Sequence, residues 1–265
     1  MAQGSGKLSY LRSLLFPPKC ASCGCLLEWQ TPAEAKKDQK ALCPECLRLW
    51  TSERLETCGI CAKPVGVCGC MPLLMSQAKC QGFCKAVYYT PLRKTAVQNR
   101  MIWQIKQENR EDVHRFFAKE LAPLAEQMLS EASADREHTV LTYLPRSRRA
   151  RLQTGTDQAQ MLAYALGKAL DLPIRSLLRR RRGSNRPQKN LSPRERIQNA
   201  RRAYLPNGRE GCRGKTVLLV DDMVTTGASM AVCARILRRM GAKAVFCVAV
   251  ATDVANKDVL PGKKA

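Results

Sequence analysis

From residue 86 onward the apolar side chains alternate between two spacings. Ala86–Tyr89 and Thr139–Leu144 carry short β-type runs, while Thr216–Val220 and Ala244–Ala251 are dominated by apolar residues, as in strands buried on both faces. Between them Thr95–Ile105, Val113–Leu129, Asp157–Leu170 and Ala228–Met240 show helical spacing. In the last of these Cys233, Ile236, Leu237 and Met240 share a face, and Gly241 supplies the stop. Arg179–Asn199 follows neither rhythm and reads as a polar loop. Strand–helix–strand alternation predicts an α/β fold, a mainly parallel sheet flanked by helices. At the other end, Leu8, Leu11, Leu14 and Leu15 precede Pro17 and Pro18, predicting a short amphipathic N-terminal helix that the prolines end. No apolar run nears the ~18 residues of a membrane span, and the first residues lack the apolar segment of a signal peptide. A cytoplasmic protein without a transmembrane segment is expected.

The chain has 265 residues, enough for one sizeable α/β core and a small satellite. Its charge is uneven. Lys and Arg number 45 against 22 Asp and Glu, a formal +23, and residues 140–213 alone hold 18 basic and 4 acidic side chains. Such a surplus predicts polyanionic company: nucleic acid, phosphorylated ligands or an acidic membrane face.

Cysteine is as uneven as charge. Of 14 cysteines, eleven lie between Cys20 and Cys84, which places a domain boundary near residue 85: a cysteine-rich module over 1–85 and an α/β domain over 86–265. Cys20-x2-Cys23 and Cys43-x2-Cys46 stand 19 residues apart, a spacing typical of a structural four-cysteine zinc site. Cys58-x2-Cys61 followed by Cys68-x-Cys70 offers a second quartet. A disulfide framework would need an oxidising compartment, so Zn²⁺ is the expected occupant, bound without an open position for water. Cys25, Cys80 and Cys84 are left over, and any of them could replace a ligand. Cys212, Cys233 and Cys247 read as small core residues.

Val217-Leu-Leu-Val-Asp-Asp-Met-Val-Thr-Thr-Gly-Ala-Ser229 carries the most specific chemistry. An apolar strand ends in adjacent carboxylates, Asp221 and Asp222, and a loop of hydroxyls and glycine opens into a helix. Backbone N–H groups at a helix N-terminus suit a phosphate monoester. The two carboxylates suit ribose hydroxyls, or a Mg²⁺ ion bridging to pyrophosphate.

This segment resembles the ribosyl-5-phosphate signature of type I phosphoribosyltransferases, which bind phosphoribosyl pyrophosphate (PRPP). Together with LLFPPKCASC, CPEC, CGIC, AVYYTPLRKTAVQNRMIWQIKQENR, TGTDQ and RPQKNLSPRERIQNA, it makes nearly the whole chain similar to the ComF family. The resemblance implies a type I phosphoribosyltransferase-like sheet behind a zinc module, and an association with DNA uptake and natural transformation. It implies that Asp221 and Asp222 hold the ribose hydroxyls, and that Thr225, Thr226, Gly227, Ala228 and Ser229 hold the 5-phosphate. Lys106 matches the lysine facing the pyrophosphate, and Gln188, Arg196 and Asn199 match a polar loop near the active site. Where the family commonly shows Arg-Gly-Phe-Asn-Gln, this chain reads Thr154-Gly155-Thr156-Asp157-Gln158, with Arg149 or Arg151 as candidate substitutes for the arginine.

Neither His114 nor His138 lies in a motif, so no histidine base is expected. Two functions remain open on the sequence. One is transfer of the phosphoribosyl group to an acceptor with pyrophosphate release, in which Asp221, Asp222 and Lys106 are the catalytic set and Arg179–Arg182 with Arg186 close over the pyrophosphate as a lid. The other is a non-catalytic competence factor that meets single-stranded nucleic acid, or proteins of the competence machinery, and uses the PRPP site as sensor or scaffold.

Overall fold

A computed structural model describes residues 16–28, 30, 34, 40–108, 110–148, 151–152, 155–181, 193–208, 211–253 and 259–260. The expected helix before Pro17 lies outside them. In chain order the elements are α1 (Pro44–Arg54), β1 (Met71–Pro72), α2 (Leu73–Gln77), β2 (Gly82–Tyr89), α3 (Val97–Gln107), α4 (Glu111–Glu131) and β3 (Thr139–Tyr143). They continue with α5 (Gln158–Leu170), β4 (Leu178–Arg180), α6 (Pro193–Ala203), β5 (Tyr204–Pro206), β6 (Thr216–Val224), α7 (Ala228–Arg239), β7 (Ala244–Asp253) and β8 (Val259–Leu260).

Strands β2, β7, β6 and β3 form one sheet in that order, and every pairing is parallel. Its apolar strands divide by parity, because successive side chains leave opposite faces. Leu218 and Val220 of β6, with Phe246, Val248 and Val250 of β7, pack in one cluster with α3, α4 and α5. Val217, Leu219, Val245, Cys247 and Ala249 pack in a second with α2, α6 and α7. Burial on both faces explains why these strands read as near-continuous apolar runs.

Three expectations need correction. Strand β2 begins at Gly82 rather than at Ala86; Phe83, Cys84 and Lys85 are buried there with Ala86 and Val87. Strand β6 does not stop at Val220, since the long β7 keeps pairing with it through Asp221↔Ala249, Met223↔Ala251 and Val224↔Thr252. The polar loop over Arg179–Asn199 instead starts in a strand and ends in a helix. Leu178–Arg180 pairs antiparallel with Tyr204–Pro206, and Ala200, Ala203 and Tyr204 are buried with Leu177 and Leu178.

The cysteine-rich segment packs into the body of the protein. Trp50 of α1 is 1% exposed and meets Phe116 and Phe117 of α4 at centroid distances of 5.3 and 5.6 Å. Its indole N–H donates to Glu120 over 3.0 Å, and Arg54 pairs with the same carboxylate. Gln98 donates to Glu53 over 2.7 Å, and Arg110 donates to the Lys19 carbonyl over 2.7 Å. Cys20, Ala21, Ala41, Leu42 and Cys46 share the cluster that covers one sheet face.

Truncating a buried tryptophan removes its burial and leaves a cavity, which costs about 3–5 kcal/mol. Trp50→Ala is therefore expected to lower the urea unfolding free energy by that amount, read by circular dichroism. A loss under about 1 kcal/mol would contradict this packing as a stabilising joint.

Candidate functional site

The carboxyl end of β6 gathers most of the residues singled out above. Asp221 and Asp222 are the sixth and seventh of the nine residues of the strand, and each carboxylate accepts the backbone N–H of the next residue over 2.9 Å. Those bonds hold the two side chains against their own backbone. Thr252 of β7 donates to the Val224 carbonyl over 3.0 Å and fixes the strand's end. Gly227, at φ +72°, then turns the chain into α7, a conformation that disfavours any residue with a Cβ. A Cβ there would also lie 2.8 Å from Met75 and 2.9 Å from Pro72. The loop is thus backed by β1 and α2, the segment that directly follows Cys70.

Other parts of the chain converge on this end. Lys106, from the end of α3, brings its Nζ to 3.9 Å from the Met223 sulfur and 6.0 Å from the Tyr89 ring. Arg180 of β4 stands 5.2 Å from the Tyr204 ring and donates to its hydroxyl over 3.3 Å. Arg179 and Arg180 are therefore strand residues rather than part of a free lid. Gln188 and Arg186 lie outside the described residues, as does Arg149. Arg196 is placed only by its backbone in α6, which also carries Asn199.

Asp157, in the stretch that departs from the family pattern, has a structural task. It caps α5, accepting from Gln160 N, and takes the Arg146 N–H over 2.7 Å while 3% exposed. Sequence reading gave no role to Gln158 or His114. Both are buried, and neither the Gln158 amide nor the His114 ring has a hydrogen-bond partner among the described residues. Burial pushes His114 down to about 4, against the pull of Asp222 and Asp112, so it is neutral at physiological pH.

Electrostatics set the acidic pair apart. Burial, then repulsion from Asp222, raises the Asp221 carboxyl well above the usual carboxylate range. A carboxyl raised in the fold contributes its full stability below its unfolded value near ~3.9 and loses it as pH rises toward the folded value. Asp221→Asn keeps the accepting oxygen and removes the charge. Its melting temperature is expected to exceed that of the parent chain, by a margin that widens from pH 5.5 to pH 8; a margin independent of pH would contradict the assignment.

The cysteines form two quartets. In each, Cys20, Cys23, Cys43 and Cys46, and Cys58, Cys61, Cys68 and Cys70, all four sulfurs lie within 4.8 Å of one another. Soft thiolates at that span suit a tetrahedral metal such as zinc. The Cys25 backbone N–H lowers Cys23 to about 6. Burial raises Cys58, but hydrogen bonds from Tyr88 and the Cys61 and Ile60 amides bring it down to about 6, favouring the thiolate. The spare cysteines separate by place. Cys25 is exposed beside the first quartet, Cys80 sits 3.7 Å from Cys247 in the core, and Cys84 is buried in β2.

Comparison with known proteins agrees with this arrangement. The phosphoribosyl transferase domain family matches residues 156–261. Competence protein F of Haemophilus influenzae is 30% identical over 92 residues, 34% of this chain and 40% of that protein. Competence protein ComFC of Bacillus subtilis is 25% identical over 221 residues, 80% of this chain and 84% of that one. Among solved structures, a purine phosphoribosyltransferase from Pyrococcus horikoshii aligns at 17% identity and a TM-score of 0.32, covering 58% of this chain and 80% of its own. With the Gly227 turn closing β6 and two cysteine quartets ahead of it, the chain resembles the ComF competence proteins and carries a phosphoribosyl transferase-type domain over residues 156–261.

Proposed function

We propose that this protein binds PRPP with Mg²⁺ at the carboxyl end of β6 and transfers the phosphoribosyl group to an acceptor, in the service of DNA uptake. The observation that carries the reading is the continuity of Asp221, Asp222 and the Gly227 turn at the end of a strand that is central in an open parallel sheet, where such sheets bind ligands. A cysteine-rich module over 1–85, holding two structural Zn²⁺ ions, and a PRPP-binding domain over 86–265 share β2.

Each group has a task in this reading. Thr225, Thr226, Gly227, Ala228 and Ser229 seat the 5-phosphate at the N-terminus of α7. Asp221 and Asp222 accept the ribose hydroxyls. Mg²⁺, when bound, neutralises the pyrophosphate. Lys106 adds a cation from α3, and Arg180, held against Tyr204, adds another. Gln188 and Arg196 belong to the same site by family resemblance. The acceptor attacks C1 of the ribose as the C1–O bond breaks through an oxocarbenium-like state, and the electron pair leaves with pyrophosphate. Stabilising that leaving charge is where basic groups act.

A second reading has its own observation. Trp103 is 54% exposed on α3, one turn from Arg100 and Lys106. An exposed indole among cations is the arrangement on which an unpaired base stacks. In this reading the protein is a single-strand-binding competence factor that senses PRPP without transferring it, with competence-machinery proteins as further partners.

The double variant Asp221→Ala/Asp222→Ala is expected to lose PRPP affinity by more than about tenfold, as expected when several charge-assisted hydrogen bonds go, with zinc content unchanged. Unaltered affinity would remove the assignment. Gly227→Ala is expected to weaken PRPP binding likewise, because its Cβ displaces Met75 and Pro72. Pyrophosphate release across candidate acceptors separates the two readings. PRPP binding without release, together with single-strand binding that weakens steeply with salt and on Trp103→Ala, would favour the sensor.

A further inference from the structure

Lys85 is the only lysine buried among the described residues, at 1% exposure. It sits in the middle of β2, an edge strand of the sheet, and its Nζ reaches the second cysteine quartet. It donates to the carbonyls of Cys68 and Cys70 over 2.7 and 3.1 Å, and to the Cys68 sulfur over 3.4 Å. The Phe83 ring centroid lies 5.2 Å away. No carboxylate lies within ion-pair distance of it among the described residues.

A buried ammonium surrounded by carbonyls and an aromatic ring is strongly disfavoured unless an anion answers its charge. Four neutral thiols would supply none. Four thiolates around a divalent ion leave a net charge of −2, and a lysine against one sulfur halves it. Tyr88, three residues along the same strand, packs against the quartet, so β2 presents both a cation and an aromatic side chain to it. Carbonyls bound to the ammonium also fix the Cys68–Cys70 loop in the shape that brings its two sulfurs together.

We infer that Lys85 is the built-in counter-cation of a metal tetrathiolate at Cys58, Cys61, Cys68 and Cys70, and that its charge sets the metal affinity of that quartet. The inference rests on reading the quartet as a metal site. It goes further by naming the group that neutralises the site and by separating its behaviour from that of the first quartet.

The test is chelator competition on the full chain loaded with Zn²⁺, with Co²⁺ as a spectroscopic probe. The parent chain is expected to hold two ions, and Cys58→Ser to remove one release step, which identifies the second quartet. Lys85→Met and Lys85→Gln are expected to weaken that same step by ~10- to 100-fold, the usual effect of losing a partner of a metal ligand, and to leave the other step unchanged. Lys85→Arg, which keeps the charge, is expected to restore most of the affinity. In the Co²⁺ form, loss of the N–H to Cys68 is expected to shift the thiolate-to-metal charge-transfer band, a change that altered packing alone would not produce. If Lys85→Gln, which keeps a donor and loses the charge, matches the parent in both affinity and spectrum, the inference is overturned. If Lys85→Met and Lys85→Gln fail to fold, a Lys85→Arg chain with the parent's affinity and band position supports it, and one as weak as Cys58→Ser overturns it. A parent chain that holds no ion at the second quartet would instead overturn the underlying metal reading.

Discussion

The parallel pairing of β6 with β7 is the constraint on which the rest of the structure depends. Ten residues of β7 run beside nine of β6, and both strands are apolar on both faces. Such strands are stable only under two layers of helices, so the chain must supply α3, α4 and α5 on one side and α2, α6 and α7 on the other. The same pairing carries β6 past its apolar run and lifts Asp221 and Asp222 to the rim. A strand ending at Val220 would have left the acidic pair in a loop. Because it continues to Val224, the carboxylates and the turn at Gly227 have a rigid base.

A parallel sheet also has edges, and β2 is one of them. An open edge invites pairing with other chains. Here the cysteine-rich segment packs against β2: the turn at Val65–Val67 lies beside it, Tyr88 packs against the second quartet, and Lys85 reaches Cys68 and Cys70. The first quartet is fastened separately, through Trp50 and Arg54 onto Glu120 of α4. The segment also runs on from Cys70 through Pro72 and Met75 to the back of the Gly227 turn. The cysteine-rich part is therefore an integral support of the sheet and of the rim proposed to bind PRPP. Two dianionic metal centres would also bring the formal +23 nearer to about +19, leaving the basic surplus concentrated in residues 140–213.

Much of this was legible in the residues. The apolar runs of β6 and β7, the helical face of α7 and the order Asp-Asp-x-x-Thr-Thr-Gly are local signals, and local signals give local elements. The cysteine spacings are local in the same sense, and both quartets close as their spacing predicts. What sequence did not show depends on partners far along the chain. β2 starts at Gly82 because Gln81 and Gly82 meet Val245 and Phe246, more than 160 residues away. Arg179 and Arg180 look like solvated charge until Tyr204 and Leu205 pair with them. Lys85 is an ordinary lysine in the sequence, and only the fold puts it under the second quartet. His114 and Gln158 carry no motif, and their burial without partners is visible only in three dimensions.

The central claim is that the rim of β6 is a PRPP site. Calorimetric titration of the parent chain with PRPP and Mg²⁺, set beside ribose 5-phosphate and inorganic pyrophosphate under the same conditions, tests it most directly. The account predicts saturable one-to-one binding of PRPP, tighter than either fragment, because the phosphate-type loop, the acidic pair and the basic groups each hold a different part of the molecule. Absence of PRPP binding, or PRPP binding no tighter than pyrophosphate alone, would contradict it.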